Sequence, residues 1–356
     1  MTYLHLLPSC TITEGYRRSL LHDTQSNKAL LLSRETAAAL KLFSGKQLEE
    51  FELHLGALGM NTEAIDDLIK TLQEESFVYL SPVYISFEPV NLKFDQPFSI
   101  TNAIIDVANT NIDLLPTMLN CFQSIACPHL QLRIFRDVKL DDLLFNSLTA
   151  FTNTDTLSTI EILMPFFEDY EALAKHLVTK AQVKIVLYNS PDNHLHQTDG
   201  GCDVVLISNI LDFPTCCGII DIEYFNFSLH HYIESVNYNS CLNRKISIDQ
   251  SGYIKNCPSM KDHFGNVADI NFSDVLKNDK FYDISEITKD HIKACSDCEF
   301  RNVCTDCRAF LEDPGDIYSK PLKCGYDPYS CTWNNWNNDP KKLNAIKYYN
   351  MNQTKR

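Results

Sequence analysis

The 356-residue sequence lacks an excess of positive charge and any long apolar run. Its 31 lysines and arginines are outnumbered by 46 aspartates and glutamates, which gives a formal net charge of −15. Because a nucleic-acid backbone calls for a basic face, this balance argues against a nucleic-acid partner. No apolar run reaches the roughly 18 residues that span a bilayer, and residues 1–8 lack the basic flank of a secretion signal. We therefore expect a cytoplasmic protein with no membrane partner.

Cysteine, in contrast, is abundant, with 14 residues in all and eight of them from position 241 onward. In a reducing cytosol, closely spaced thiols indicate metal or cluster binding before disulfides. The densest stretch has the spacing C-x2-C-x5-C-x2-C, and its members are Cys295, Cys298, Cys304 and Cys307. Short C-x2-C loops place two thiolates on one face, with backbone N–H groups free to point at the sulfurs. Structural zinc and iron–sulfur clusters both use such loops, so the spacing leaves both open, with disulfides as a third alternative.

Two more thiols lie upstream of this stretch and two lie downstream. Cys241 and Cys257 flank a predicted hairpin that turns at 250–252, and the hairpin folds the two sulfurs toward each other. Cys324 and Cys331 follow the dense stretch. A metal bound by such thiols would stabilise a loop-rich segment that has little apolar core of its own.

The N-terminal segment 1–82 predicts a small winged-helix unit. Apolar segments on either side of a polar break at 25–27 are typical of a β-hairpin. Helices are expected to begin near Ser33, Lys46 and Asn61, since serine and asparagine are good N-caps. A strand at 77–80 then closes the unit.

The next part of the chain alternates between strands and helices. Such alternation indicates a parallel sheet with crossover helices, either an open α/β sheet or a partial barrel. Chemistry in such folds sits at the carboxyl ends of the strands. The predicted strands are 100–107, 130–135, 159–164, 183–188 and 203–207, and the predicted helices are 116–126, 140–151 and 170–178.

One motif is missing from this α/β part. Radical S-adenosylmethionine enzymes carry C-x3-C-x2-C after their first barrel strand, because three thiolates leave one iron open for the methionine moiety. After Val107 the sequence continues Ala-Asn-Thr-Asn-Ile-Asp, without cysteine. The nearest thiols, Cys121 and Cys127, do not have this spacing, and Cys121 falls in a predicted helix as a structural thiol. We therefore expect no S-adenosylmethionine chemistry.

A looser set of metal-binding residue types follows between 194 and 217. These side chains could supply four ligands to zinc, but their spacing matches no known template, and the histidines fall in a polar loop where they are often simply solvated. The members of the set are His194, His196, Cys202, Cys216 and Cys217.

The cysteine pattern as a whole, C-x10-G-x4-C, then C-x2-C-x5-C-x2-C, then a final cysteine, resembles the SPASM domain, the auxiliary-cluster module of peptide-modifying radical enzymes. The resemblance implies one [4Fe-4S] cluster on four thiolates, namely Cys295, Cys298, Cys304 and Cys324. It assigns Cys241, Cys257 and Cys307 to a second cluster. The hairpin segment 243–256 contains no cysteine, so this second cluster has an open site or does not form. Cys331, outside the pattern, is a candidate substitute ligand.

The N-terminal unit is similar to the PqqD-like domain, which grips a leader peptide by adding it to a sheet edge as an extra strand. Together, these features resemble the SPASM-domain peptide maturases of grasp-with-spasm systems. The resemblance implies a ribosomal precursor peptide and an ATP-grasp ligase as partners. It also implies four segments: a peptide-recognition domain at 1–82, a radical-enzyme-like α/β body at 83–240, a SPASM domain at 241–331 and a tail at 332–356.

Three functions follow from this organisation. The first is a maturation factor that binds a precursor peptide, works with the ligase and carries one or two iron–sulfur clusters without radical chemistry. The second is an iron–sulfur enzyme that modifies a peptide at an open-site cluster. The third is a structural zinc-binding scaffold. A plain electron carrier would leave the segment 1–82 unexplained.

Overall fold

The computed structural model describes residues 1–177, 181–197 and 202–351, and it divides into two compact units. The first unit combines Met1–Phe94, Ile219–Ser240 and Ile287–Arg356, and the second combines Asp95–Gly218 with Cys241–Glu286. The domain boundaries expected at 82, 240 and 331 follow motifs rather than compactness, and they stay predictions. The predicted helical position Val178 and the end of the tail, 352–356, lie outside the described residues.

The N-terminal part of the first unit contains two small antiparallel sheets and three helices. The sheet orders are β5-β1-β6 and β2-β3-β4. The elements are β1 (Tyr3–Leu6), β2 (Cys10–Glu14), β3 (Arg18–Asp23), β4 (Ala29–Ser33), α1 (Arg34–Phe43), β5 (Lys46–Gln47), α2 (Leu48–Ala57), α3 (Thr62–Glu74) and β6 (Val78–Ser81).

Local signals predicted most of these elements. The hairpin forms as β3 and β4, with Asn27 of the polar break at a φ of +59°. The N-caps are also confirmed, since the side chain of Ser33 accepts from the Thr36 N–H at 3.0 Å and that of Asn61 from the Ala64 N–H at 2.8 Å. The second helix begins at Leu48 rather than Lys46, because Lys46 and its neighbour pair with β1 as a short strand.

Further elements follow in chain order, and all except α7 belong to the second unit. They are β7 (Asn102–Val107), α4 (Leu115–Gln123), β8 (His129–Ile134), α5 (Asp142–Thr152), β9 (Thr159–Pro165), α6 (Tyr170–His176), β10 (Gln182–Tyr188), β11 (His194–Gln197), β12 (Cys202–Ile207), α7 (Leu229–Asn237), β13 (Lys245–Ile248), β14 (Ile254–Lys255) and α8 (Phe272–Val275).

The second unit is built on one eight-stranded sheet in the order β11-β12-β10-β9-β8-β7-β13-β14. Its six central strands, from β12 to β13, are all parallel, as the alternation of strands and helices predicts. The α/β fold class is thereby confirmed for this part of the chain. The segment of His194, expected as a loop, instead pairs antiparallel with β12 at the sheet edge.

The two faces of this sheet differ in chemistry because side chains alternate along each strand. On one face, buried aliphatic residues such as Ile105, Leu132 and Ile162 share a core with the helices α4, α5 and α6. The other face is polar and lines a cleft of about 400 Å³. The polar residues lining the cleft are Asn102, His129, Gln131, Thr159, Glu161, Gln182, Lys184, Asp203 and Lys245.

Polar contacts cross from strand to strand on this face. Gln131 donates to Glu161 at 2.7 Å, and Lys184 forms an ion pair with the same carboxylate at 2.9 Å. Nearer the carboxyl ends of β7 and β8, Arg133 and Asp106 form a buried two-pronged ion pair at 2.5 and 2.8 Å. Burial raises the pKa of Asp106 even though Arg133 opposes the shift.

The last elements belong to the first unit and are short. They are β15 (Tyr326–Asp327), β16 (Thr332–Trp333) and α9 (Leu343–Tyr348). Across the described residues, the structure contains no helix with the length and apolar character that a membrane crossing requires.

Asp106→Asn should destabilise the second unit, because it leaves the buried Arg133 cation without its carboxylate. We expect a loss of about 3–5 kcal/mol in the free energy of unfolding, the usual cost of breaking one side of a buried pair. Urea unfolding, monitored by circular dichroism, measures this loss of free energy. Lys277→Gln is the matched control, since it breaks the exposed Lys277–Asp274 pair and should cost about 1 kcal/mol or less. Equal losses in the two variants would contradict the prediction.

Candidate functional site

Four cysteines line one cavity of about 20 Å³ in the first unit. This space exceeds the roughly 10–15 Å³ that a single water needs. The four are Cys295, Cys298, Cys304 and Cys324. The sequence resemblance groups the same four thiols as ligands of one cluster, and that role stays a prediction.

Tight backbone turns bring the first three thiols together. The N–H of Cys298 donates to the carbonyl of Cys295 at 3.0 Å, and that of Cys304 donates to the carbonyl of Phe300 at 3.1 Å. The N–H of Phe300 points at the Cys298 sulfur at 3.4 Å, as expected for a C-x2-C loop. Cys324 joins them from later in the chain, where a β-bridge with Ile220 holds its backbone.

Aromatic rings form another part of the cavity wall. Tyr326 lies 5.0 Å from Phe300 and 4.9 Å from Trp333 between ring centroids, and all three residues line the cavity. Trp333 therefore lies where it helps to cover the thiols. Trp336 lies instead against the ammonium of Lys323, at 5.7 Å.

Burial and mutual repulsion raise the pKa of three of these thiols, those of Cys295, Cys298 and Cys304. Burial raises the pKa of Cys295 to about 12, and burial together with Cys304 raises that of Cys298 well above its usual value. Two ammonium groups line the same cavity, those of Lys289 and Lys320. Burial alone would lower the pKa of Lys289, but Cys304 and Asp306 raise it overall. The two cations would stabilise thiolates once a metal replaces the thiol protons.

The donor set suits both a zinc ion and an iron–sulfur cluster. Across the described residues, no group of three or more His, Cys, Asp or Glu side chains is arranged to hold one metal ion. Four soft sulfur donors around one cavity are nevertheless the ligands that both a four-thiolate zinc site and an iron–sulfur cluster use.

A second group of thiols lies in the second unit, at the β13–β14 hairpin. Cys241 precedes β13, and Cys257 follows β14. The Nζ of Lys245 donates to the Cys241 sulfur at 3.6 Å. Cys257 lies within electrostatic reach of both groups. That the hairpin folds the two sulfurs onto one ligand site stays a prediction. Lys245 also lines the polar cleft of the same unit.

Cys217 is a neighbour of this pair that the spacing pattern did not predict. Its thiol hydrogen-bonds with that of Cys257, and this contact, followed by burial, raises the pKa of Cys257 well above its usual value. Its sulfur also lies 3.9 Å from the Ser259 hydroxyl. Cys217 and Cys257 are far apart in the sequence, so no local spacing signal could have linked them.

Cys307 is buried in the first unit and does not line the cavity of the four thiols. Together with burial, it raises the pKa of the Tyr349 phenol. Its assignment to a cluster with Cys241 and Cys257 stays a prediction. Cys331, the proposed substitute ligand, is also outside the cavity lining, and its thiol donates to the carbonyl of Pro328 at 3.7 Å.

The looser set between 194 and 217 forms no metal site among its described members. His194 is exposed on the edge strand β11, whereas Cys202 is buried at the start of β12. The side chain of His196 lies outside the described residues. Cys217 of this set joins the thiols at the β13–β14 hairpin.

Comparisons with known proteins give structural similarity at low identity. No family model and no curated protein matches the chain. BtrN in complex with AdoMet and 2-DOIA is 12% identical with a TM-score of 0.36, and the match covers 59% of this chain and 94% of that one. Streptococcus suis SuiB is 10% identical with a TM-score of 0.34, covering 89% and 98%. SuiB bound to precursor peptide SuiA is 10% identical with a TM-score of 0.30, and the match covers 86% of this chain and 96% of that one. At these values the similarities carry no conclusion about this chain, and the expected absence of S-adenosylmethionine stays a prediction.

Cys298→Ala should release metal from the first unit, because it removes one of the four thiols that line the cavity. We expect at least about half of the bound iron to be lost and the thermal midpoint to fall, since metal binding and folding are coupled in such segments. Anaerobic purification with iron and sulfide analysis measures the loss. Cys331→Ala, which changes a thiol outside the cavity lining, should keep the wild-type content. Unchanged iron in Cys298→Ala would contradict the ligand role.

Proposed function

We propose that the protein is a maturation factor for a ribosomally made peptide, which binds its precursor at a sheet edge and carries an iron–sulfur cluster in the cysteine-rich segment. The observation that carries this proposal is the cavity lined by Cys295, Cys298, Cys304 and Cys324. Four thiols around one small space, with Lys289 and Lys320 beside them, are the donors and counter-charges that a cluster requires.

The precursor peptide would add to the outer edge of β4. In the described part of the chain this strand pairs with β3 alone, so its other edge has backbone groups available for a further strand. The strand is apolar, and Leu31 on it is 41% exposed. An exposed apolar edge strand is the feature that β-strand addition uses, with main-chain hydrogen bonds supplying affinity and side-chain pockets supplying specificity.

The ladder with β3 determines which backbone groups of β4 point outward. The N–H of Asp23 donates to the carbonyl of Lys28 at 2.9 Å, so these two residues are a hydrogen-bonded pair. Hydrogen-bonded and non-hydrogen-bonded pairs alternate in an antiparallel ladder. The register Leu20↔Leu31 is therefore a non-hydrogen-bonded pair, and the N–H and C=O of Leu31 point away from β3.

A bound cluster would supply electron transfer, or Lewis-acid chemistry if one of its irons lacks a protein ligand. The second candidate function is accordingly a peptide-modifying iron–sulfur enzyme. The polar cleft favours it, because Lys245 both lines that cleft and contacts the Cys241 thiol. A zinc scaffold would use the same four cavity thiols, and it would carry no sulfide.

Leu31→Pro should weaken binding of the precursor peptide, because proline removes the outward N–H of β4 and leaves the ladder with β3 intact. Loss of this intermolecular hydrogen bond, together with weakening of the hydrogen bonds beside it, should reduce the affinity for the precursor peptide about tenfold. Isothermal titration calorimetry with the precursor peptide measures this affinity. Leu31→Ala, which keeps the backbone donor, should bind more tightly than Leu31→Pro. Equal binding by wild type and Leu31→Pro would refute edge addition.

Incubating the precursor with an ATP-grasp ligase, with and without this protein, should distinguish the two functions. A maturation factor changes the rate or extent of the ligase product, and it leaves the peptide mass unchanged when the ligase is omitted. Mass spectrometry of the peptide reads both results. A mass change caused by this protein alone would refute the maturation-factor proposal and establish the enzyme, whereas no effect in either mixture would remove the ligase partnership.

A further inference from the structure

The thiol group of the second unit contains a member from outside the cysteine-rich segment. Cys217 follows the sheet strands of the α/β part, whereas Cys241 and Cys257 flank the β13–β14 hairpin. The hairpin itself has no cysteine between these two flanking thiols, so a cluster held there would lack a local third ligand. The contact between Cys217 and Cys257 supplies a third sulfur at the same place.

We propose that Cys217 is a ligand of an iron–sulfur cluster that is also bound by Cys241 and Cys257. The inference rests on the proposed function in one respect, since it takes this protein to bind iron–sulfur clusters. It goes beyond the spacing pattern, in which Cys217 has no place.

The backbone of the loop that carries Cys257 is held by specific contacts. The Nζ of Lys255 donates to the Met260 carbonyl at 2.8 Å and pairs with Asp249 at 2.7 Å, which closes the loop that carries Cys257. Asn256, next to Cys257, donates through its side chain to the Phe281 carbonyl at 2.8 Å. Ser259, within this loop, touches the Cys217 sulfur. The Cys257 sulfur is therefore presented by a fixed loop that also contacts the Cys217 sulfur.

One cation lies beside all three thiols and would compensate part of the charge that three thiolates would bring. Lys245 donates to the Cys241 sulfur, and Cys217 and Cys257 are also within its electrostatic reach. The guanidinium of Arg133, which is paired with Asp106, lies within electrostatic reach of both Cys216 and Cys217. Buried thiolates need such partners, and iron bound to them adds further positive charge.

The three sulfurs are not arranged as a single-ion site, and the described ranges contain no other group of three or more such side chains that is. A four-iron cluster spreads its ligands around a larger body than one zinc ion does. Without a further ligand such as Cys307, three protein thiolates leave one iron open. Lys245, which contacts the Cys241 sulfur, is also among the residues that line the polar cleft.

The test compares Cys217→Ser with Cys216→Ser, both in a Cys298→Ala background that removes the cavity cluster of the first unit. Cys216 is the matched control because its thiol donates instead to the Phe213 carbonyl, at 3.7 Å. The full-length proteins are reconstituted anaerobically with iron and sulfide. Iron and sulfide content and the electron paramagnetic resonance spectrum of the reduced protein are then measured.

We expect the background variant and Cys216→Ser to hold one cluster, about four irons. Cys217→Ser should lose most of that iron or show a changed resonance spectrum. An unchanged iron content and spectrum in Cys217→Ser overturns the inference alone, because clusters are then present without this ligand. Wild-type protein that binds no iron with sulfide overturns the proposed cluster function as well, so the two failures are distinguishable.

A second measurement does not depend on how well the variants fold. In reconstituted protein with native cysteines, alkylation followed by peptide mass spectrometry should show Cys217, Cys241 and Cys257 protected together. Removing the iron with a chelator should expose all three together, while Cys216 keeps its reactivity. Equal alkylation of Cys217 before and after chelation, or a Cys217–Cys257 disulfide in iron-loaded protein, overturns the proposal.

Discussion

The burial of charged and thiol side chains in the segment after Ile287 is the constraint on which this part of the molecule depends. Two strands of two residues each are its only described strands, so side chains hold much of its backbone. The buried Lys342 donates to the carbonyls of Leu322 and Cys324 at 2.9 and 2.6 Å, and Lys289 donates to that of Thr305 at 3.0 Å. Buried ammonium groups are stable only with such partners. The thiol cavity is thus positioned by charge compensation rather than by a helix or a sheet.

The sequence predicted those features that depend on residues close together in the chain. The caps at Ser33 and Asn61 and the hairpin before α1 depend on residues close together in the chain, and they form as expected. The same holds for Cys295, Cys298 and Cys304, whose close spacing is enough to bring them to one cavity. Cys324 required the family pattern, because its approach depends on a bridge to Ile220 that no spacing rule describes. The short strand β1 was not predicted, since it gains its stability by pairing with β6, which comes much later in the sequence.

Packing between distant parts of the sequence explains the features that the sequence did not predict. The alternation in β8 and β9 could have indicated one polar face, but strand propensity alone does not tell which face is covered by helices. Parallel sheets usually bury both faces under helices. Here one face instead carries the Asp106–Arg133 pair and a cleft lined by polar side chains. Cys217 follows β12, whereas Cys257 follows the β13–β14 hairpin, and four strands of the sheet lie between β12 and β13. The approach of Cys217 to the hairpin could therefore not be found from residues 241–331 alone.

Lys245 links the two kinds of function in one residue. Its ammonium group contacts the Cys241 thiol, and its side chain also lines the polar cleft. Hydrogen bonds to ligating sulfur raise the reduction potential of a cluster, so this lysine would adjust a redox site and face its substrate space at once. A scaffold has no need for a cation in that position, beyond the balance of buried charge. The cavity of the first unit differs, because aromatic rings and four thiols surround it and leave no comparable polar space. Under the proposed functions, the thiols of the second unit therefore suit chemistry on a bound molecule, and those of the first suit structural support.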